Sequence, residues 1–279
     1  MTSPDPLIFH VFDSAGIPVR GTHRKIQAPV HPVLQEAFED RKRQLERAVL
    51  ARPGGFNGAR AALTAFRYEE GALHLDTQFR TYVEGLALRQ ELRLARERGT
   101  VHVSDAELLT PNPLLSWGLS VSTYILLPHD FALCAQRSPA MTVSPGLWTL
   151  SHSEIVEPDD VSEEGMQPLL VRLIQEEVPV LRGLGAAKFV GLGVRPLTYC
   201  WQLIAILDLR RADPAALATA LANLDPDTET SAWALVPLES TATFESFGSL
   251  PEHVRWPGRA GEPSDFAIAR SLNRKVPAC

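Results

Sequence analysis

The sequence predicts an α+β fold, on three observations. A strongly apolar segment, Leu119 to Leu127, has a short partner, Phe131 to Gln136, across Pro128-His129-Asp130, and the two read as paired strands. A helix-length segment, Pro168 to Val178, follows a long polar loop and carries two acids near its end. The strand pattern then resumes at Phe189 to Val194, Thr198 to Leu209 and Ala232 to Leu238.

Taken in order, Leu7 to Phe12 is aromatic and β-branched and predicts a strand. Pro32 opens a helix whose apolar positions Leu34, Phe38, Leu45 and Val49 share one face, until Ala51 and Pro53 stop it. Gly54 to Gly58 is a turn cluster, in which Asn57-Gly58 is a turn signal first of all. Ala61 to Tyr68 and Leu73 to Phe79 predict two strands joined by Glu69-Glu70-Gly71, and Gln90 to Arg98 a short polar helix. The Pro-rich Leu109 to Pro113 divides an N-terminal extension, 1–112, from a second domain, 113–279. In that domain Pro145-Gly146-Leu147-Trp148 opens a loop through an acidic stretch to Gly165. Ala215 to Leu224 predicts a further helix, and a polar, Pro-rich tail holds a last one near Asp265 to Leu272.

Composition narrows the function classes. At 279 residues, 45% hydrophobic and 22% charged, the chain can bury a sizeable core and is neither disordered nor fibrous. Its formal net charge of −6 argues against a surface built to neutralise nucleic-acid phosphates. The most apolar run, Leu197 to Leu207, holds Thr198 and Gln202 and is closed by Asp208, so no membrane span is expected. Met1 to Pro6 shows no leader pattern, and Cys134, Cys200 and Cys279 have no metal or disulfide spacing. The expectation is a soluble cytoplasmic protein with its thiols reduced; its oligomeric state is not fixed by these features.

One spacing carries chemistry. Glu164 is followed after seven residues by Arg172, then Ile174, Glu176, Glu177 and Val180. This pattern resembles the Nudix box, G-x5-E-x7-R-E-U-x-E-E-x-G-U, with U aliphatic. The flanks are similar to that family too. A strand pair ending in Arg137 and then Trp148 precede the box, and Trp233-Ala234-Leu235-Val236-Pro237-Leu238-Glu239 follows it. The resemblance covers residues 115–245. It implies a Nudix-type α/β/α sandwich with a mixed sheet, carrying an N-terminal α+β extension. It also implies metal-dependent hydrolysis of a nucleoside diphosphate linked to another moiety, a small nucleotide-linked substrate with no nucleic-acid or membrane partner.

Cleaving a diphosphate requires neutralised oxygens and an activated water, and carboxylates holding Mg2+ or Mn2+ provide both. On this reading Glu164, Glu176, Glu177 and a later acid, Glu229 or Asp227, hold the metal. Arg172, four residues before Glu176, orients a carboxylate, and Arg137 neutralises phosphate. His152 and Glu154, just before the box, are further possible ligands, against the plainer expectation of a solvated loop; Asp159 and Asp160 read as polar loop.

Three positions depart from the box. Leu173 replaces its second glutamate and would turn an apolar group toward the acids, Pro158 stands at its first glycine, and Pro179 at its last. A degenerate domain that binds a nucleotide or protein partner, or a non-hydrolytic enzyme using the same cleft, therefore stays open beside the hydrolase. In the N-terminal part, Phe56-Asn57-Gly58 and Thr77-Gln78-Phe79-Arg80-Thr81-Tyr82 are similar to the UDP-sugar Nudix hydrolases. That similarity implies UDP-glucose or UDP-galactose as substrate.

Overall fold

In a computed structural model, the described residues are 8–13, 15–51, 57–104, 110–140, 146, 148–149, 151–195, 198–227 and 229–237. The glycines at 54–55, the helix expected near 265–272 and Cys279 lie outside them. The fold is α+β, as expected. One eight-stranded mixed sheet runs β1 (Ile8–Val11), β9 (Ala186–Arg195), β10 (Cys200–Asp208), β5 (Leu119–Leu127), β6 (Phe131–Arg137), β11 (Thr230–Pro237). The short β7 (Trp148–Thr149) joins β6, and β8 (Ser151–Ile155) joins β5. A second sheet holds β2 (Val19–Gln27), β4 (Ala72–Thr81) and β3 (Ala59–Glu69), in that order.

The wholly buried β5 is central to the large sheet. It lies parallel to β10, with Trp201 opposite Leu119 and Asp208 opposite Leu126. Its other edge is shared: β8 pairs antiparallel with residues 120–124, and β6 with residues 126–127. Near-continuous apolar runs such as β5 and β10 are what a strand covered on both faces requires. The hairpin between β3 and β4 turns through Glu70 and Gly71, at φ 51° and 74°. Two consecutive left-handed residues give the twist that tight hairpins need, and Gly71 adopts it without a Cβ clash.

Helix α1 (Gln35–Leu50) packs on α2 (Tyr82–Glu97). Helix α3 (Gln167–Glu177) lies against β9 and β8, and α4 (Pro214–Ala222) against the single turn 179–181. A contiguous core joins both sheets and their helices, from Val19, Leu75 and Leu92 to Val121, Leu170 and Leu203. The sequence boundary near residue 112 therefore does not divide the core, and β1, from the extension, sits in the large sheet beside β9.

Several elements differ from expectation, among them β2, which no apolar rhythm announced. Helix α2 begins at Tyr82, well before Gln90. Thr81 Oγ1 accepts from Glu84 N while Glu84 Oε2 accepts from Thr81 N, a reciprocal cap that starts the helix where the β4 pattern ends. The loop expected from 145 to 165 contains β7 and β8; polar Ser-His-Ser-Glu is drawn into the sheet by the free edge of β5. No helix among the described residues is long and apolar enough to cross a membrane.

Candidate functional site

The site forms where the C-terminal end of α3 meets β8, the end of β6 and the start of β11. Helix α3 buries Leu169, Leu170, Leu173 and Ile174 as one stripe, which fixes its rotation. Leu173 is fully buried in the core, so it does not turn toward the acids as the spacing suggested. Glu176 and Glu177 sit at the helix end, Glu176 exposed and Glu177 half-buried. Val178 ends the helix before Pro179, whose ring cannot continue it.

Arg172 lies one turn earlier. Its Nη2 donates to Glu154 Oε1 at 2.8 Å and to Asp160 Oδ2 at 2.9 Å. The sequence pointed to Glu176 as its neighbour, but the carboxylates it holds are Glu154 of β8 and Asp160. The second oxygen of Glu154 is buried and has no hydrogen-bond partner among the described residues. Burial pushes the Glu154 carboxyl up to about 7, against the pull of Arg172 and with the push of Glu176, Asp160 and Glu157. Burial, then Glu229, Asp227 and Glu154, push Glu177 up to about 7 as well, with Arg137 acting the other way.

His152 is buried two residues before Glu154 on β8, on the same strand face. Its ring stacks on Trp233 at 5.3 Å, and its Nδ1 lies 4.0 Å from Glu177 Oε2. Burial and the charge of Arg137 hold the imidazole down to about 4, despite Asp227, so it is neutral near pH 7. At that distance, and uncharged, it makes no ion pair with Glu177. Trp233 is fixed in turn by donating Nε1 to Asp225 O at 3.2 Å.

Of the residues singled out in the sequence, Arg172, Glu177, Arg137 and Glu229 act on this one cluster, with Glu176 at its margin. Glu164 is exposed on the preceding loop, where its backbone N–H bonds Ser162 Oγ. The acids that act on Arg172 are Asp160, Glu154 and Glu176. Asp160 was legible only as polar loop. Its signal lay in Glu157-Pro158-Asp159-Asp160: Asp160 Oδ2 accepts from Glu157 N at 2.8 Å and closes a single helical turn.

Among the described residues no three His, Cys, Asp or Glu side chains are gathered closely enough to enclose a metal ion. The donor set nonetheless suits a hard divalent ion. Mg2+ is held by one or two carboxylates together with substrate phosphates and water, and Glu154 offers an idle buried oxygen.

No family model matches the chain, and no curated protein matches it. Among solved structures it is similar to a Deinococcus radiodurans protein at 14% identity, over 57% of this chain and 83% of that one, with a TM-score of 0.36. It is similar to the MutT protein of Methanosarcina mazei at 17% identity, over 56% of this chain and 93% of that one, with a TM-score of 0.33. A third is a bifunctional NMN adenylyltransferase/ADP ribose pyrophosphatase of Francisella tularensis, complexed with AMP and a manganese ion. Identity there is 14%, over 70% of this chain and 50% of that one, with a TM-score of 0.37.

Proposed function

We propose that the chain is a Nudix-type hydrolase that cleaves a nucleoside diphosphate linked to another moiety, with a nucleotide sugar as the narrower reading. The observation that carries it is the half-buried Glu154, one oxygen held by Arg172 and the other without a partner among the described residues, in one cluster with the half-buried Glu177; burial pushes both carboxyls up to about 7. Like charges left partly desolvated are costly, and a divalent cation is the partner that would relieve them. Glu154 and Glu177 would hold Mg2+ or Mn2+, with Glu176 and Glu229 at the margin. Bound there, the ion supplies charge neutralisation and a more acidic water.

The chain's own residues do the rest. Arg172 fixes Glu154 by one oxygen and leaves the other for the ion. Arg137, whose charge reaches Glu177 and His152, meets a phosphate. His152 stays neutral and, stacked on Trp233, keeps the wall behind Glu177 dry.

The experiment is a panel of UDP-glucose, UDP-galactose, ADP-ribose and dinucleoside polyphosphates with Mg2+ or Mn2+, read by product separation. Turnover of at least one is expected, and Glu177→Gln and Glu176→Gln should each remove most of it. Unaffected variants overturn the assignment. A second reading, a nucleotide-binding domain without turnover, is favoured by the lack of three converging ligands among the described residues. It predicts thermal stabilisation by a nucleotide that is never cleaved.

A further inference from the structure

We infer that the three-stranded sheet β2–β4–β3 is a working part of this site. It holds the loop 156–166, and through Asp160 of that loop it sets Arg172 and hence Glu154. The role in turnover rests on the hydrolase reading; the positioning of Arg172 does not.

The loop enters α3 and is stitched to the sheet by backbone. Ala61 N of β3 donates to Val156 O, Gly21 N of β2 donates to Ser162 O, and Met166 N donates to Val19 O, each at 2.9 Å. Both ends and the middle of the loop are thus fixed by another sheet's main chain. The approach is close: a Cβ on Gly21 would stand 2.6 Å from Val161 Cγ1 and 3.3 Å from Leu75 O. Glycine at 21 is what lets the loop lie so near β2.

Side chains add a second tie. Arg60 of β3 donates Nη1 to Glu157 Oε1 at 3.1 Å, its guanidinium resting over the Tyr82 ring at 5.3 Å. Glu157 is 41% exposed, so this ion pair is the weaker link, and the backbone bonds and the close contact at Gly21 carry the positioning. The turn they hold presents Asp160, only 10% exposed, to Arg172. The same Nη2 of Arg172 serves both Asp160 and Glu154, and its Nε is buried without a partner among the described residues. Among the described residues these are the two hydrogen bonds that hold the guanidinium, so a shift of Asp160 is passed to Glu154. Asp160 is a positioning residue, and Gly21 and Arg60 act through it.

The test uses the full chain and the variants Asp160→Asn, Gly21→Ala, Arg60→Met and Arg60→Lys. The first readout is the Arg172 Nε–H signal by NMR, assigned from its loss in Arg172→Lys. The second is kcat and KM for UDP-glucose and ADP-ribose with Mg2+. Asp160→Asn and Gly21→Ala should each speed exchange of that proton about fivefold or more, because a released guanidinium samples water. The same variants should lower kcat about tenfold, with KM within about threefold. Arg60→Met should show a smaller loss of the same kind, which Arg60→Lys restores.

An unchanged Arg172 signal in Asp160→Asn overturns the inference, and an altered signal with unchanged kcat overturns its part in turnover. If the wild-type chain cleaves neither nucleotide, the hydrolase reading fails for these substrates, and the Arg172 signal alone decides whether the sheet positions it. Should Gly21→Ala not fold, Asp160→Asn and the Arg60 pair still decide the case.

Discussion

Replacing Glu177 by Gln should stabilise the metal-free protein at pH 8, against the usual cost of altering a half-buried residue. The Glu177 carboxyl is pushed up to about 7 in the folded chain, from an ordinary value near 4.5. Between those values the folded state keeps a proton that the unfolded state has released. Stability therefore falls as pH rises through that window, and the whole penalty is present above pH 7. A shift of this size corresponds to roughly 3 kcal/mol at most, and mutual relief among Glu229, Asp227 and Glu154 reduces it to on the order of 1–2 kcal/mol. His152 runs the other way: its value, lowered to about 4, makes stability rise with pH between about 4 and 6.5. The difference between wild type and Glu177→Gln cancels that contribution. Urea unfolding in EDTA at pH 5 and pH 8 is the assay. The variant should gain stability relative to wild type on going from pH 5 to pH 8, and excess Mg2+ should narrow the gap at pH 8. A Glu177→Gln variant no more stable than wild type at pH 8, with the same slope against pH, refutes the electrostatic reasoning.

Two further outcomes follow from the same structure. Leu173→Glu places an acid in the core; it should cost several kcal/mol in denaturant unfolding and add no metal affinity by titration, since Leu173 is fully buried. Glu84 accepts from Lys42 Nζ at 2.8 Å, Gln27 Nε2 at 2.6 Å and Thr81 N at 2.9 Å. Burial opposes its charge, but those bonds hold it down to about 2. Glu84→Gln should cost about 2–3 kcal/mol at pH 7, a loss that fades as pH drops from about 4.5 toward 2 in acid-urea titrations.

The strands and helices that carry their own apolar rhythm were legible in the sequence. The sheet centre at Leu119–Leu127, the helix at Gln167–Glu177 and the two strands after it stand within a few residues of expectation. Strand β2 and strand β8 were not, because Val-Arg-Gly-Thr-His-Arg-Lys and Ser-His-Ser-Glu are polar and pair only because a neighbouring edge needs partners. The same blindness touched the site. The register of Arg172 with Glu176 and Glu177 pointed to the end of α3, where the candidate site is placed. Which acid Arg172 grips is set by β8 and by the turn at 158–160, pairings no local spacing encodes. Leu173 was misplaced for a related reason: its fit against the sheet, not its distance from the acids in sequence, decides which way it faces.

The pairing of β1 with β9 bears on how the molecule can be divided. Ile8 to Val11 cover the outer rim of β9, opposite Val194 to Gly191. A fragment starting at residue 113 would lay that rim bare. Naked strand backbone of this kind recruits strangers, so such a fragment should self-associate. Residues far apart along the polypeptide thus serve as each other's hem, and domain-trimming at the sequence boundary would unpick it.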